Sequence, residues 1–287
     1  MNFQTKPLTP GLYFVATPIG AARDITLRAL DILASADLIA SEDTRTTRKL
    51  MEIHGIPLGD RQVVAYHDHS GDKPTARLVA AVASGKSVAY VSEAGTPLIA
   101  DPGFELGVAA AEAGLMVTAA PGASAAIMAL TVAGLPTDRF AFIGFLPAAS
   151  AKRKTELAEL KAIPATLVFY ESPKRIRETL ADLCDILGEE RPAALCRELT
   201  KKFEEVSRGT LAELQGLYAD RNVKGEIVVV VGRGAGETAS AVSVEDALKD
   251  ALQTMRVKDA ATAVAGALGL PRRDVYQIAL KLGKDAG

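Results

Sequence analysis

The residues best placed to do chemistry lie between Ser92 and Gly103, in the run Ser-Glu-Ala-Gly-Thr-Pro-Leu-Ile-Ala-Asp-Pro-Gly. This run follows Ser87–Val91, whose apolar character reads as a buried strand. Gly95 lets a ligand approach the backbone closely, Pro97 and Pro102 stiffen the loop, and Asp101 adds a charge. In open α/β sheets, ligands bind beyond the carboxyl ends of the strands. An ordinary structural loop is the plain alternative. Two more loops are suitably placed. Thr17-Pro18-Ile19-Gly20 follows a strand, and Pro121-Gly-Ala-Ser-Ala125 precedes a helix whose amino end suits a carboxylate. Turn chemistry and an N-cap explain each of these taken alone. Three such loops converging on one crevice indicate a ligand site.

Glu42-Asp43-Thr44-Arg45 leaves the end of another strand. Its carboxylates suit a general base or the orienting of a substrate hydroxyl. Equally, Asp43 or Thr44 suits the cap of the next helix. His67-Asp68-His69 places two imidazoles on one face of an extended chain. With three histidines in the whole sequence, no metal site is expected there, and a polar substrate-facing loop or a solvated loop remains. Gly232-Arg-Gly-Ala-Gly236 lacks the G-x-G-x-x-G spacing of a dinucleotide site and reads as linker. Three basic groups are candidates for phosphates: Lys152-Arg153-Lys154, Lys174-Arg175 with Arg177, and Arg272-Arg273 with Lys281 and Lys284. A charged run is more commonly a solvated face.

These residues need a scaffold that sets loops at strand ends. Apolar runs at 11–17, 37–41, 63–66, 87–91 and 116–119 alternate with segments of helical spacing, which predicts βαβ units and a mainly parallel sheet. Asp24 is a candidate cap for the first helix. A crossing at Gly134–Arg139 leads to a second domain in the same style, with strands at 140–145, 166–170, 193–197 and 226–231. Lys152–Lys154 reads there as a basic loop and Glu198–Arg208 as a charged segment. Past a polar linker, three short helices form a bundle of helix-turn-helix type. The predicted domains are residues 1–120, 121–235 and 243–287.

The 287 residues are 48% hydrophobic but 5% aromatic, so the cores must be aliphatic, as buried parallel strands require. Two cysteines, in no CxxC pair, exclude a disulfide framework. No apolar run approaches the length of a membrane span and the start carries no signal core, which predicts a cytoplasmic protein with no membrane partner. A net charge of −2 means that any RNA would have to be met by local basic clusters.

In collinear order, the stretches TPIGAARDIT (17–26), ASEDTRTT (40–47), HDHS (67–70), VSEAGTPLIADPG (91–103), PGASAA (121–126), GLPTDRFAFIGFLP (134–147), FYESPKR (169–175), RELTKKFEE (197–205) and KGEIVVVV (224–231) resemble the tetrapyrrole methylase superfamily. More closely they resemble its bacterial branch of ribosomal RNA small subunit methyltransferase I proteins. The C-terminal helices are similar to the small helix-turn-helix domain often found at that branch's end. Ala21 and Ala22 stand where the branch has Asn and Leu, Ala123 where it has Pro, and Lys174 where it has His.

The resemblance implies a homodimer of two α/β domains with S-adenosyl-L-methionine (AdoMet) in the cleft between them. It implies 2′-O-methylation of a cytidine ribose in the decoding region of 16S rRNA, on the small ribosomal subunit. Carried over by position, Pro18, Gly95, Thr96, Pro97, Ile99, Ala100 and Asp101 line the cleft. Ser124 and Ala125 meet the methionine end, and Tyr170, Glu171 and the Lys224-Gly225-Glu226 segment close it. Asp24, Glu42, Asp43, His67 and His69 are the candidates to orient or deprotonate the 2′-hydroxyl, with the Glu42–Arg45 group first. Arg23, Arg45 and Arg175 are the phosphate candidates. Other readings are a corrinoid or siroheme precursor methylase and a noncatalytic RNA-binding protein.

Overall fold

The computed structural model describes residues 2–67, 72–234, 241–268 and 270–285. The chain divides into two compact units, Met1–Gly232 and Arg233–Gly287.

The larger unit holds two sheets. The first contains β1 (Gly11–Val15), β2 (Leu38–Ser41), β3 (Gln62–Ala65), β4 (Ser87–Val91) and β5 (Val117–Ala120). All its pairings are parallel, in the order β3-β2-β4-β1-β5. Every residue of β1 and β4 is buried, because helices cover both faces. Along β1, Tyr13 and Val15 enter one core with α1 (Leu27–Ser35) and α2 (Thr44–Ile53). Leu12 and Phe14 enter the opposite core with α3 (Asp72–Ala83) and α4 (Phe104–Glu112). Neighbouring β1 and β4 thus send their connections to opposite faces. Their carboxyl ends form the switch point where α/β sheets bind ligands.

The second sheet contains β6 (Phe140–Phe145), β7 (Thr166–Glu171), β8 (Pro192–Arg197), β9 (Glu205–Thr210) and β10 (Ile227–Val231), in the order β6-β7-β10-β8-β9. Here β6 and β7 are parallel, and the β7–β10, β10–β8 and β8–β9 pairings are antiparallel. This lobe therefore departs from the expected parallel style. The cause is β9, which begins within the charged segment 198–208. It returns beside β8 through a tight turn, and its charges are matched locally. Glu205 bonds Arg197 and Arg221 at 2.6–3.1 Å. On one face lies α5 (Ala125–Ala133). On the other lie α6 (Ser150–Leu160), α7 (Ile176–Leu187) and α8 (Leu211–Tyr218).

Lys152-Arg153-Lys154 is not a loop but part of α6. Arg153 is fully buried, and its Nε donates to Asp182 at 2.6 Å. Lys154 pairs with Asp185 at 2.7 Å. Asp24 does not cap α1; it ends a short 3-10 turn (Ala22–Asp24), and Thr26 is the cap, accepting from the Ala29 amide at 3.2 Å.

The smaller unit packs α9 (Ala241–Leu252), α10 (Val257–Leu268) and α11 (Arg272–Asp285) around Leu248, Ala261, Val264, Val275 and Ala279. No helix among the described residues is long and apolar enough to cross a membrane.

Candidate active site

Three strand-end loops are knitted together beyond the first sheet. Thr17 and Gly95 exchange backbone hydrogen bonds at 2.9 and 3.1 Å. The Ser92 hydroxyl donates to the Gly95 carbonyl at 2.7 Å, and the Thr96 hydroxyl donates to the Ala123 carbonyl at 2.9 Å. Gly95 has φ +85°, and a Cβ there would press on Ile19 at 3.3 Å. After Pro97 the chain holds Leu98 at φ 70° and Ala100 at φ 60°. Such left-handed conformations are costly for residues with a Cβ and cluster at functional sites.

These loops form one wall of a cleft of about 420 Å³ between the two sheets. That volume lies within the range of about 300–1,000 Å³ for small-molecule sites. The first lobe contributes Ile19, Glu42, Glu93, Ala94, Ile99, Ala100 and Asp101. The second contributes Ala125, Phe145, Tyr170, Glu171, Cys196, Leu199 and the segment 225–228. Phe145 and Tyr170 meet edge to face at 5.7 Å. The Tyr170 hydroxyl accepts from the Ala126 amide at 3.2 Å, which uses one N–H of the α5 amino end. Burial pushes the Tyr170 hydroxyl above its ordinary pKa, with the Ala126 bond pulling the other way. Burial also pushes the Cys196 thiol up to about 11, so it stays protonated and behaves as an apolar wall.

A second cavity of about 420 Å³ adjoins the first. Thr17, Pro18, Gly20, Ala22, Arg45 and Lys49 help to line it, and Glu93 borders both cavities. The Glu93 amide donates to the Glu42 carboxylate at 3.2 Å. Asp43 is the cap of α2. Its carboxylate accepts from the amides of Arg45 at 2.7 Å and Thr46 at 3.3 Å, which hold it below the usual carboxylate range. The capping reading is met by Asp43, while Glu42 lines the first cavity and Arg45 the second.

Of the residues singled out by sequence, Glu42, Ile99, Ala100, Asp101, Ala125, Tyr170, Glu171 and Gly225 line the cleft. Gly95, Thr96, Pro97 and Ser124 belong to the loops and the helix cap that frame it. Pro18 and Arg45 line the second cavity instead. Asp24 and His67 are absent from both linings. His69, with Asp68 and Ser70, lies outside the described residues. No group of three or more metal-ligating side chains occurs among the described residues.

Glu171 is committed to the fold. Arg175 grips its two oxygens at 2.8 and 2.9 Å, and the Thr179 hydroxyl donates to the second. Arg175 is thereby drawn away from its expected phosphate role. In the smaller unit, Arg272 and Arg273 border a separate cavity with Lys258 and Tyr276.

Ile19 of the 17–20 loop also lines the cleft, and Glu93, Phe145, Cys196 and Leu199 join it without having been singled out one by one. Glu93 had a signal, since it stands two residues after β4 in the strongest loop. Leu199 had only its place in a charged run.

The family model for Tetrapyrrole (Corrin/Porphyrin) Methylases matches residues 11–215. A second, the RsmI C-terminal HTH domain, matches residues 238–283. A Mesorhizobium japonicum protein named ribosomal RNA small subunit methyltransferase I is 45% identical, over 98% of this chain and 95% of its own length. Proteins of the same name from Halalkalibacterium halodurans (96% and 97% covered) and Escherichia coli O157:H7 (94% and 94%) are each 43% identical.

Among solved structures, a diphthine synthase shares the fold with TM-score 0.60 at 17% identity, covering 77% of this chain and 89% of that one. Cobalt precorrin-4 methyltransferase gives 0.57 at 18%, covering 77% and 94%. Uroporphyrin-III C-methyltransferase from Thermus thermophilus, complexed with S-adenosyl homocysteine, gives 0.55 at 18%, covering 77% and 97%. The chain belongs to the tetrapyrrole methylase family and, within it, to the ribosomal RNA small subunit methyltransferase I branch.

Proposed function

We propose that the protein methylates small-subunit ribosomal RNA with AdoMet, and that its target is the 2′-hydroxyl of one cytidine ribose in the decoding region of 16S rRNA. The observation that carries this reading is Glu93, a carboxylate bordering two adjoining cavities of different character.

The residues of the first cavity suit the donor. Ile19, Cys196, Leu199 and Val228 offer an apolar floor, and Phe145 and Tyr170 offer aromatic faces. Glu42, Glu93 and Asp101 give it negative charge, which complements a sulfonium and an ammonium group. The rare backbone at Leu98 and Ala100 shapes the wall. By family position, Ser124 and Ala125 at the start of α5 meet the methionine end.

The second cavity suits a nucleotide. Arg45 and Lys49 stand on its rim as partners for backbone phosphates. Arg48 and Arg23 add positive charge on neighbouring turns.

AdoMet, when bound, supplies a methyl group already activated on sulfur. The chain's own tasks are then alignment and removal of the hydroxyl proton. Glu93 accepts that proton. Glu42 fixes the Glu93 peptide through the 3.2 Å hydrogen bond and adds a second carboxylate beside it. By family resemblance, the protein acts as a homodimer.

The test is transfer of tritiated methyl from AdoMet to small subunits that lack the modification, followed by nuclease and alkaline digestion. Label in one alkali-resistant dinucleotide containing cytidine is the expected result, because a 2′-O-methyl group blocks cleavage there. Label on a base would refute the 2′-O assignment. AdoMet binding with no RNA labelled would favour a tetrapyrrole acceptor. No binding of AdoMet would remove the enzyme reading.

A further inference from the structure

The turn between β8 and β9 does more than join two strands. Its Leu199-Thr200-Lys201 segment lies directly on the first-lobe turn Ile19-Gly20-Ala21. The Ala21 amide donates to the Thr200 hydroxyl at 3.1 Å. Leu199 and Ile19 are both buried, in one apolar cluster. A Cβ on Gly20 would fall 2.5 Å from Thr200 Oγ1 and 2.6 Å from Lys201 Cγ, so glycine is needed for this approach.

The turn is also strained. Glu198 (φ 53°) and Thr200 (φ 64°) are left-handed residues with a Cβ, and Thr200 is β-branched. A dense set of bonds holds them there. The Lys201 ammonium donates to Glu198 at 2.8 Å and Glu226 at 3.0 Å. The Glu226 amide donates to Glu198 at 3.0 Å, and the Thr200 amide donates to Glu204 at 2.6 Å. Strain held by surrounding bonds signals a conformation kept for a purpose.

We propose that this turn is a positioning strap, with Thr200 its key residue, that sets the wall shared by the donor cleft and the acceptor cavity. Ile19 and Leu199 line the first cavity, whereas Gly20 and Ala22 line the second. The Ala22–Asp24 turn has no side-chain cap at Ala21. It is held from outside, by Thr200 at Ala21 and by His54, whose Nε2 meets the Ala22 carbonyl at 2.9 Å. Thr200 is a positioning residue, since it reaches the site through Ala21. Naming the cavities donor and acceptor rests on the function proposed above.

The test compares wild type with T200V, which removes the hydroxyl at similar size, and T200S, which restores it. Hydrogen exchange at the Ala21 amide is read in the ligand-free protein. T200V is expected to exchange about fivefold faster, the scale of one hydrogen bond, and T200S to match wild type. In methyl transfer, T200V is expected to lower kcat/KM for the small subunit about tenfold, with the AdoMet Kd within about twofold, and T200S to recover it. G20A attacks the same contact from the first lobe and is expected to speed Ala21 exchange likewise.

Wild-type exchange in both T200V and G20A would overturn the proposal. So would a joint loss of AdoMet affinity and melting temperature in T200V that T200S does not restore. The exchange measurement needs neither AdoMet nor RNA, so it judges the strap even if the function assignment falls.

Discussion

The charged clusters around Asp182 in the second lobe and around Glu93 in the first differ in what their charges face. Asp182 accepts from Ser150 at 3.0 Å and from buried Arg153 at 2.6 Å, and Lys154 stands 3.6 Å away. That cluster joins α6 to α7. At Glu93 the amide donates to Glu42, and the residue borders two cavities. Arg45 nearby is 93% exposed and 3.8 Å from Asp43, a spacing of little energetic weight at a wet surface. Basic residues of similar appearance in the two lobes thus had opposite fates. Charges under a helix pair stabilise the fold, and charges left at strand ends remain available to a substrate.

Substitutions can break this contrast. The largest effect is expected from Asp182→Ala, which strands the buried Arg153 guanidinium. About 3–5 kcal/mol of unfolding free energy should be lost, read by urea denaturation. A loss below about 1 kcal/mol would show that water reaches the pair. Next comes Glu93→Gln. Single-turnover methyl transfer should fall about a hundredfold, while unfolding free energy moves by no more than about 0.5 kcal/mol. Unchanged transfer would exclude Glu93 as the proton acceptor.

A smaller effect is expected at Glu205, whose carboxyl is held down to about 2, first by Arg221 and then by Arg197, with burial opposing. In the unfolded chain it titrates near its ordinary 4.5. As pH falls the unfolded state takes up the proton first, so stability present above about 4.5 is lost towards about 2. Glu205→Gln should flatten that acid limb and cost about 1–2 kcal/mol at neutral pH, a charge-assisted bond discounted for its exposure. Thermal unfolding across pH checks both. Smallest in free energy, Arg45→Ala should raise the KM for small subunits a few-fold and reduce the salt dependence of binding by about one phosphate contact. Its melting temperature should match wild type.

Much of the scaffold was legible. All five strands of the first sheet lie at the apolar runs; β1 and β4 are plainest, because a strand buried on both faces must be apolar throughout. The antiparallel return of β9 was not. Glu-Val-Ser-Arg-Gly-Thr carries no continuous apolar signal, and its partners Arg197 and Arg221 are brought to Glu205 only by the folded sheet. The helix α6 was hidden for a related reason. Its basic run looked like solvated surface until Asp182, 29 residues on, supplied a buried partner for Arg153.

The same division holds at the site. The loops at 17–20, 92–103 and 121–125 were readable, since prolines, glycines and strand ends are local features. Which carboxylates line the cavities was not. Asp43 and Glu42 are neighbours in sequence, yet one turns to cap α2 and the other to a cleft. Glu93 lies where the cleft between the two lobes meets a cavity lined by the 17–22 turn and α2, so its surroundings come from segments far apart in sequence. The five strands of the first lobe, the strand-end loops and the family could be read along the chain, because local periodicity and backbone chemistry act over a few residues. The pairing of charges, the choice of those that line a cavity, and the reach of Thr200 to Ala21 across 179 positions come from folding, because they depend on burial and on distances between remote segments.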